Sequence, residues 1–228
     1  MTNHYLREVE KLKMRILALG ALVEKQLYEA TRAVETRDAL LAEKVIDMDT
    51  DVDIQEVEIE EECLKILALY QPVAGDLRYV VSILKINNDL ERIGDLAVNI
   101  AERAELLSAK PAPRIHADFP AMTLGVQSML KKSIDSLVNL DARMADEVCA
   151  SDDEVDRLNR KIYDLIKQGI IKDPTPENIT TMIHLLSVSR FLERIADHTT
   201  NIAQDVIYTI EARIVRHQPK LANADHQK

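Results

Sequence analysis

Pairs of carboxylates four residues apart are the feature of this sequence best suited to chemistry. On an α-helix, side chains at this spacing stand one above the other, so each pair places two like charges side by side. Four of these pairs recur as two per half of the chain, and their eight members are Asp49, Asp53, Glu91, Asp95, Asp152, Asp156, Glu193 and Asp197. If the pairs of two adjacent helices face each other, four carboxylates converge, and a bound cation is needed to offset their repulsion.

These acids predict metal binding through oxygen ligands. All-oxygen ligation suits hard ions such as iron(III), manganese, magnesium and calcium, and carboxylates can bridge more than one ion. We consider Asn99, Asn201 and His198 as additional ligands or as groups that orient the ligands. Arg92 and Arg194 are expected to pair with neighbouring acids rather than to contact phosphate. The competing interpretation is a solvated acidic helix face, which four pairs with the same spacing make the weaker alternative.

Composition limits the other functions that the chain can have. The net charge of −10 disfavours nucleic acid and anionic lipid as partners, and the segment 47–62 holds nine carboxylates without a Lys or Arg. The longest apolar run, 16–23, is far shorter than the roughly 18 residues of a membrane span, so a cytoplasmic protein is expected. No Glu-x-x-His, His-Glu-x-x-His, P-loop or Gly-x-Ser-x-Gly motif occurs, so we predict that the chain is not an enzyme. Cys63 and Cys149 are interpreted as free thiols.

The elements that must position the acids are long helices. Apolar residues recur at steps of three or four from Leu6 to Val34 and again from Val45 to Tyr70, which predicts two successive helices separated near Arg37-Asp38. Gln71-Pro72 ends the second helix, with Pro72 suited to the first position of a third that runs to about Leu107. Three helices joined by short turns predict an antiparallel bundle over residues 1–110.

A second bundle follows a proline-rich linker at 111–120. We predict its helices at about 121–148, 152–171 and 176–216, within a repeat that covers 121–217, and a polar tail at 218–228. The segment Leu90–Asp95 matches Leu192–Asp197 at a separation of 102 residues. The acidic segment 49–53 matches 152–156 at a separation of 103 residues. Duplication of a three-helix unit is the simplest explanation.

These motifs resemble a known family. Gln71-Pro72-Val73-Ala74-Gly75-Asp76-Leu77-Arg78, followed by Leu90-Glu91-Arg92-Ile93-Gly94-Asp95 and its second copy at 192–197, is similar to the PhoU family of phosphate-transport regulators, over roughly residues 5–215. The resemblance implies an all-α fold of two tandem three-helix bundles related by a pseudo-two-fold axis. It also implies multinuclear metal clusters on the acidic motifs, with iron as the first candidate and manganese, magnesium, zinc or calcium as the others.

The same resemblance implies a regulatory function. Members act as adaptors that restrain the phosphate ABC transporter and hold a membrane sensor histidine kinase in its signalling-off state when phosphate is plentiful. The expected partners are therefore the transporter's ATPase subunit and the kinase, with a homodimer as the assembly and at most peripheral membrane association. This chain departs from the family pattern in its second repeat, where Ala196 replaces the motif glycine and no Gln-Pro-Val-Ala segment precedes the last helix.

Two rival functions remain open from the residues alone. One is a carboxylate-bridged metalloenzyme, against which the missing histidine ligands count. The other is a metal-free helical scaffold whose acids provide solubility or meet a basic partner. Metal-dependent turnover would favour the first rival, and salt-sensitive partner binding without metal dependence would favour the second.

Overall fold

The described part of the chain is entirely helical. The computed structural model describes residues 3–110 and 118–215, and these contain seven helices and no strand. The helices are α1 (Asn3–Thr36), α2 (Ala39–Asp47), α3 (Asp49–Tyr70), α4 (Ala74–Ser108), α5 (Phe119–Asn139), α6 (Ala142–Lys172) and α7 (Pro176–Glu211). α1, α2–α3 and α4 form the first three-helix repeat, and α5, α6 and α7 form the second. The predicted fold class of two tandem three-helix bundles is confirmed.

The boundary between α5 and α6 corrects the sequence prediction. We expected one helix at about 121–148 and the next from 152, but α5 ends at Asn139 and α6 begins at Ala142. Leu140 is left-handed with φ 48°, and the Asp141 side chain caps α6 by accepting from the Met144 N–H. Arg37 and Asp38, 103 residues earlier, form the same left-handed residue and N-cap before α2. The repeat therefore carried a boundary signal that apolar periodicity obscured.

The middle segment of the first repeat, between α1 and α4, is also broken where one continuous helix was predicted. We call this segment, and α6 in the second repeat, the arm of the repeat. α2 ends at Asp47 and α3 begins at Asp49, so Met48 lies in a turn. The buried amide of Gln26 explains the break, because its Nε2 donates to the Val45 carbonyl at 3.4 Å and to Asp49 Oδ1 at 3.1 Å. A side chain inserted into the ladder of backbone hydrogen bonds is a recognised cause of a helix bend. In the second repeat, α6 runs unbroken through the equivalent position.

Several other boundaries differ by a few residues. α4 begins at Ala74 after an extended Val73, so Pro72 precedes the helix instead of occupying its first position. α7 ends at Glu211, before a left-handed Ala212 with φ 57°, and not near 216 as predicted. Most of the predicted linker and the whole polar tail lie outside the described residues, and α5 already begins at Phe119. The predicted repeat limits 1–110 and 121–217 stay a prediction.

The two repeats pack together through α4 and α7. Both helices are lined with fully buried aliphatic side chains, including Ile86, Ile93, Ile100, Ile195 and Ile202. Each such side chain contributes about 1.5–3 kcal/mol by its removal from water. Two polar pairs cross the same interface: Asp89 with His198 at 2.8 Å, and Lys85 with Asp205 at 3.3 Å. Asp89 and Asp205 are both nearly inaccessible.

Two further predictions can be compared with the structure. No helix in residues 3–110 and 118–215 has the length and apolar character needed to cross a membrane. Cys63 is a free, buried thiol, whereas Cys149 is half-buried. Burial raises the pKa of the Cys63 thiol to about 12, so it behaves as an inert core residue, as predicted.

Candidate metal centres

The first acidic cluster lies where the start of α3 faces the middle of α4. Asp49 and Asp53 come from α3, and Glu91 and Asp95 come from α4. Asp49, Glu91 and Asp95 are half-buried, whereas Asp53 is exposed. Because each pair spans one helical turn, its two carboxylates lie on the same side of their helix. The cluster therefore occupies a partly covered shoulder of the bundle.

Carboxylates on α3 and α4 repel one another in the first cluster. Burial raises the pKa of Asp49 above its ordinary value, and the charges of Asp53 and Asp95 raise it further. The hydrogen bond from Gln26 lowers this pKa, but the net shift is upward. Burial also raises the pKa of Glu91, as do Asp95 on its own helix and Asp53 on α3. A charge that raises the pKa of a carboxyl on the neighbouring helix must lie close to it. The acids of α3 and α4 are therefore electrostatic neighbours.

A fifth carboxylate, Glu56, belongs to this cluster and was missed in the sequence. Asn87 on α4 donates to the Glu56 carbonyl at 2.9 Å and to its side chain at 3.4 Å, which holds this turn of α3 against α4. Burial raises the pKa of Glu56, with additional contributions from Glu60 and Asp53. Its position three residues after Asp53, inside the run of nine carboxylates, was the signal that could have identified it.

The close approach of three helices at this cluster depends on Gly94. A Cβ atom at Gly94 would lie 3.1 Å from Gln26 Oε1, 3.2 Å from Val52 Cγ1 and 3.5 Å from Asp49 Oδ1. Gln26 itself is completely buried, and its Oε1 has no hydrogen-bond partner in the described part of the chain. A buried amide oxygen without a donor, next to Asp49, adds a neutral oxygen of the kind that hard cations accept.

The second cluster repeats the arrangement between α6 and α7. Asp152 and Asp156 come from α6, and Glu193 and Asp197 come from α7. After burial, the largest influences that raise the pKa of Glu193 are the charges of Asp197, Asp156 and Asp152. Burial and the charge of Asp156 raise the pKa of Asp197, while His198 and Arg194 lower it. All eight predicted acids thus lie in two groups of four, one group in each repeat.

The predicted accessory ligands have other partners. His198 Nδ1 lies 2.8 Å from Asp89 Oδ1, and Asn201 Nδ2 lies 3.4 Å from the same oxygen, so both point toward the interface with α4. Asn99 donates to the backbone carbonyl of Asp95 at 2.7 Å. The hydrogen bonds of these three residues therefore lie in the α4–α7 interface and along the α4 backbone, and their role as additional ligands or as groups that orient the ligands stays a prediction.

The arginines differ between the clusters. Arg92 lies 3.4 Å from Glu91 and 3.1 Å from Asp95, so the predicted pairing with neighbouring acids is confirmed at this position. Arg194 only lowers the pKa of Asp197 through its charge. In the second repeat the ion pair comes instead from Arg160, which lies 3.6 Å from Asp156. Exposed ion pairs of this kind contribute at most about 1 kcal/mol, so a cation can displace them.

The donor sets fit hard cations, although the side chains do not form a closed coordination shell. Within residues 3–110 and 118–215, no group of three or more His, Cys, Asp or Glu side chains has the geometry to hold one ion. The chemistry of the sets is nevertheless uniform: carboxylate oxygens with raised pKa values from two facing helices, plus the Gln26 amide oxygen in the first repeat. The eight acids stay a predicted ligand set.

Comparisons with known proteins extend over both repeats. A family model described as PhoU domain matches the chain twice, at residues 16–104 and 119–206. A relative from Aquifex aeolicus, named phosphate-specific transport system accessory protein PhoU homolog, is 40% identical over 212 residues, which cover 93% of this chain and 95% of that protein. A similarly named relative from Pseudomonas aeruginosa is 36% identical over 95% of this chain and 89% of its own length.

Solved structures have the same fold. The crystal structure of PhoU from Pseudomonas aeruginosa is similar with a TM-score of 0.88 at 36% identity, covering 92% of this chain and 100% of that one. The phosphate transport system regulatory protein PhoU from Streptococcus pneumoniae gives a TM-score of 0.82 at 29% identity, covering 92% and 99%. The likeness therefore includes the helices that carry both acidic clusters.

Proposed function

Because the chain belongs to the PhoU family, we propose that it is a cytoplasmic, metal-binding adaptor that negatively regulates phosphate uptake and phosphate-starvation signalling. The names of its relatives describe accessory and regulatory proteins of phosphate transport, and none of these names describes an enzyme. We propose the ATPase subunit of the phosphate ABC transporter and a membrane sensor histidine kinase as its partners. A homodimer is the proposed assembly.

The observation that carries the metal proposal is the mutual repulsion of carboxylates between facing helices in each repeat. In the first repeat Asp95 and Asp53 raise the pKa of Glu91, and in the second repeat Asp197, Asp156 and Asp152 raise the pKa of Glu193. Folding holds these like charges together at a cost in stability. A hard cation bound by Asp49, Asp53, Glu91, Asp95 and their second-repeat counterparts would neutralise that charge and fasten the two helices to each other.

This proposal connects metal binding to regulation through the shape of the bundle. The acids lie between α3 and α4 in one repeat and between α6 and α7 in the other. Bound ions would therefore stiffen these two helix pairs, whose outer faces are exposed. Exposed apolar side chains such as Ile54, Val57 and Leu64 follow one outer face of α3. Stiffening would lower the entropy that the adaptor loses when it binds a partner.

Metal analysis of matched variants tests the first half of the proposal. Protein purified without chelator should contain bound metal, and adding the metal to stripped protein at 100 times its Kd should stabilise it by about 2.7 kcal/mol for each site that is filled. Glu91→Gln with Asp95→Asn should remove the metal of the first repeat, and Glu193→Gln with Asp197→Asn that of the second. The control is Glu43→Gln with Asp47→Asn, two exposed carboxylates four residues apart on α2.

The outcomes separate the adaptor from its rivals. Metal-free protein whose thermal stability ignores added iron, manganese, magnesium, zinc and calcium would contradict the metal proposal. Loss of metal in the control variant as well would show that charge, and not the predicted sites, governs binding.

Co-purification tests the second half of the proposal. From cells grown with abundant phosphate, the tagged chain should recover the transporter ATPase and a histidine kinase. The double variants of the acidic sites should recover less of both. Recovery of neither partner by the unmodified chain would argue against the adaptor function.

A further inference from the structure

A groove in the second repeat has a composition unlike the acidic surface around it. It lies between α6 and α7, beside the second acidic cluster, and has a volume of about 480 Å³. Six residues line it: Asn159, Arg160, Tyr163, Asp164, Leu186 and Arg190. The groove thus combines two guanidinium groups, an amide, an aromatic ring, an aliphatic side chain and one carboxylate in a protein whose net charge is −10.

The corresponding positions of the first repeat have the opposite charge. The equivalent positions lie 103 residues before the α6 members and 102 residues before the α7 members. They hold Glu56, Val57, Glu60, Glu61, Leu84 and Asn88. The three glutamates therefore stand where the second repeat has Asn159, Tyr163 and Asp164, and the two arginines of the second repeat replace Val57 and Asn88. Since the two repeats share their fold, the shared architecture does not account for the arginines. They are a feature of this one groove.

The donors of the groove are available to a ligand. Arg190 is exposed and makes no ion pair or hydrogen bond with any residue of the described part of the chain, although its charge lowers the pKa of Glu193. Arg160 makes only a 3.6 Å ion pair with Asp156, with 70% of its side chain exposed. The Ser189 hydroxyl donates to Asn159 Oδ1 at 2.5 Å, which orients the amide and leaves its N–H groups to donate elsewhere.

This set of donors suits a phosphate group. A guanidinium presents a planar fork of N–H donors that matches phosphate oxygens, and two forks can share one doubly charged group. Tyr163, which is 54% exposed, and Leu186 provide an apolar surface next to the two charges. The volume lies within the range of about 300–1,000 Å³ that is typical of small-molecule sites, so the groove has room for more than an inorganic ion.

We propose that the α6–α7 groove binds a phosphorylated small molecule of the nucleotide class. Arg160 and Arg190 hold the phosphate, and the Asn159 amide donates to the same group. The ring of Tyr163 stacks on the planar organic part, and Asp164 accepts hydrogen bonds from hydroxyl or amino groups. None of the six lining residues belongs to the eight predicted metal ligands. Arg160 nevertheless pairs with Asp156, and the charge of Arg190 lowers the pKa of Glu193, so the groove is tested with metal removed.

Calorimetric titration of the whole chain in the presence of chelator tests the site, with ADP, adenosine and inorganic phosphate as separate probes. ADP should bind more tightly than adenosine or phosphate alone. Arg190→Gln should weaken ADP binding at least tenfold, and Arg160→Gln should have a similar effect. Tyr163→Leu should weaken ADP binding about fivefold and leave phosphate binding unchanged, since the ring contacts only the organic part. These effects follow from charge-assisted hydrogen bonds and base stacking.

The matched control is Arg143→Gln, which removes an exposed arginine from α6 outside the groove. It should leave the affinity for ADP unchanged, and thermal melting checks that every variant folds. The proposal is overturned if ADP does not bind, or if Arg143→Gln weakens binding as much as Arg190→Gln. Equal affinity for ADP and phosphate, with no effect of Tyr163→Leu, would also overturn it and would identify a simple phosphate site.

Discussion

The two repeats hold the same four acids in different surroundings. In the first repeat, the amide of Gln26 donates to Asp49, and Gly94 leaves room for that amide. In the second repeat, the equivalent positions are Met129, whose thioether cannot donate, and Ala196; both are buried. The acids are thus kept in both halves, while the residues that support them have changed.

This difference explains the different shapes of the two arms. Where Gln26 bonds to the Val45 carbonyl, the arm breaks into α2 and α3, and where Met129 stands, α6 continues for 31 residues. We infer that this one buried amide causes the bend beside the acids of the first repeat. The first cluster also gains the Glu56 carboxylate, whereas the second has Asn159 at that position. The first site is richer in anions, and the second adjoins the groove that carries two arginines.

The largest expected effect concerns a polar contact that only one half of the repeat interface has. Asp89 is 5% exposed and accepts from His198 Nδ1 and Asn201 Nδ2. The pseudo-symmetric positions of Asp89 and His198, 102 residues away, are the apolar Phe191 and Leu96, while Asn201 corresponds to Asn99. Asp89→Ala should lower the free energy of unfolding by about 3 kcal/mol, because it leaves two donors without their acceptor in a covered interface. Chemical denaturation measures this loss.

Asp89→Asn is the control, since it keeps an oxygen acceptor of the same shape. Its cost should be about 1 kcal/mol. If Asp89→Ala were as stable as the unmodified chain, the polar contact would add nothing to the interface. The two halves would then be equivalent despite their different sequences.

The second prediction exchanges the buried residue that distinguishes the arms. Gln26→Met places the second-repeat residue in the first repeat and removes the hydrogen bond to Asp49. We expect a loss of about 2 kcal/mol, typical of a bond to a charged group. The pKa of Asp49 should rise further, because the Gln26 hydrogen bond now lowers it. Denaturation and NMR titration of the Asp49 carboxyl measure the two effects.

The reciprocal change, Met129→Gln, completes this test. If the amide alone causes the bend, a crystal structure of Gln26→Met should show a straighter junction between Asp47 and Asp49. An unchanged bend, together with an unchanged pKa of Asp49, would mean that Gln26 follows the break and does not cause it.

The third prediction compares the small residues beside the acids. Ala196→Gly should lower the free energy of unfolding by about 1.5 kcal/mol. It removes a buried methyl group, and glycine loses more backbone entropy than alanine when the helix forms. Gly94→Ala gains about 1 kcal/mol of helix propensity but crowds Gln26 Oε1 at 3.1 Å and Val52 at 3.2 Å, so its net effect should be within about 0.5 kcal/mol. Thermal denaturation checks both values. Equal and opposite effects would show that the first site tolerates a methyl group freely.

Much of the fold could be predicted from the sequence, because its signals are local or repeated. Apolar periodicity located the helices, and the separations of 102 and 103 residues related the two bundles. The acids of both clusters could be identified because their spacing is that of one helical turn. The boundary at Leu140-Asp141 was missed although the same break was recognised at Arg37-Asp38, since the apolar stripe continues across it.

Long-range contacts set the limit of the sequence prediction. The break at Met48 depends on Gln26, which belongs to a different helix. The orientation of His198 depends on Asp89, which lies 109 residues earlier in the chain. Neither contact leaves a periodic signal, and only packing brings the partners together. His198 was therefore assigned to the acids beside it in sequence instead of to the interface that it faces.

The smallest predicted effect is a pH dependence that should be larger in the second repeat. Burial and the charges of Asp197, Asp156 and Asp152 raise the pKa of Glu193 in the folded state. A carboxyl with a raised pKa contributes stability below its unfolded pKa of about 4.3, and loses it as the pH rises through the folded value. In chelator, Glu193→Gln should therefore gain stability relative to the unmodified chain as the pH increases from 4 to 7.

Two further variants test the direction of this pH dependence and compare it between the two repeats. Glu154 has a lowered pKa because of Arg157, so Glu154→Gln should show the opposite trend and lose relative stability as the pH rises. Glu91→Gln should follow Glu193→Gln but more weakly, because Arg92 forms an ion pair with Glu91 at 3.4 Å, whereas Arg190 lowers the pKa of Glu193 without forming an ion pair with it. Thermal melting across the pH range measures all three. Equal changes of relative stability with pH for Glu91→Gln and Glu193→Gln would show that Arg92 does not offset the repulsion in the first cluster. The two repeats would then be stabilised equally by a bound cation.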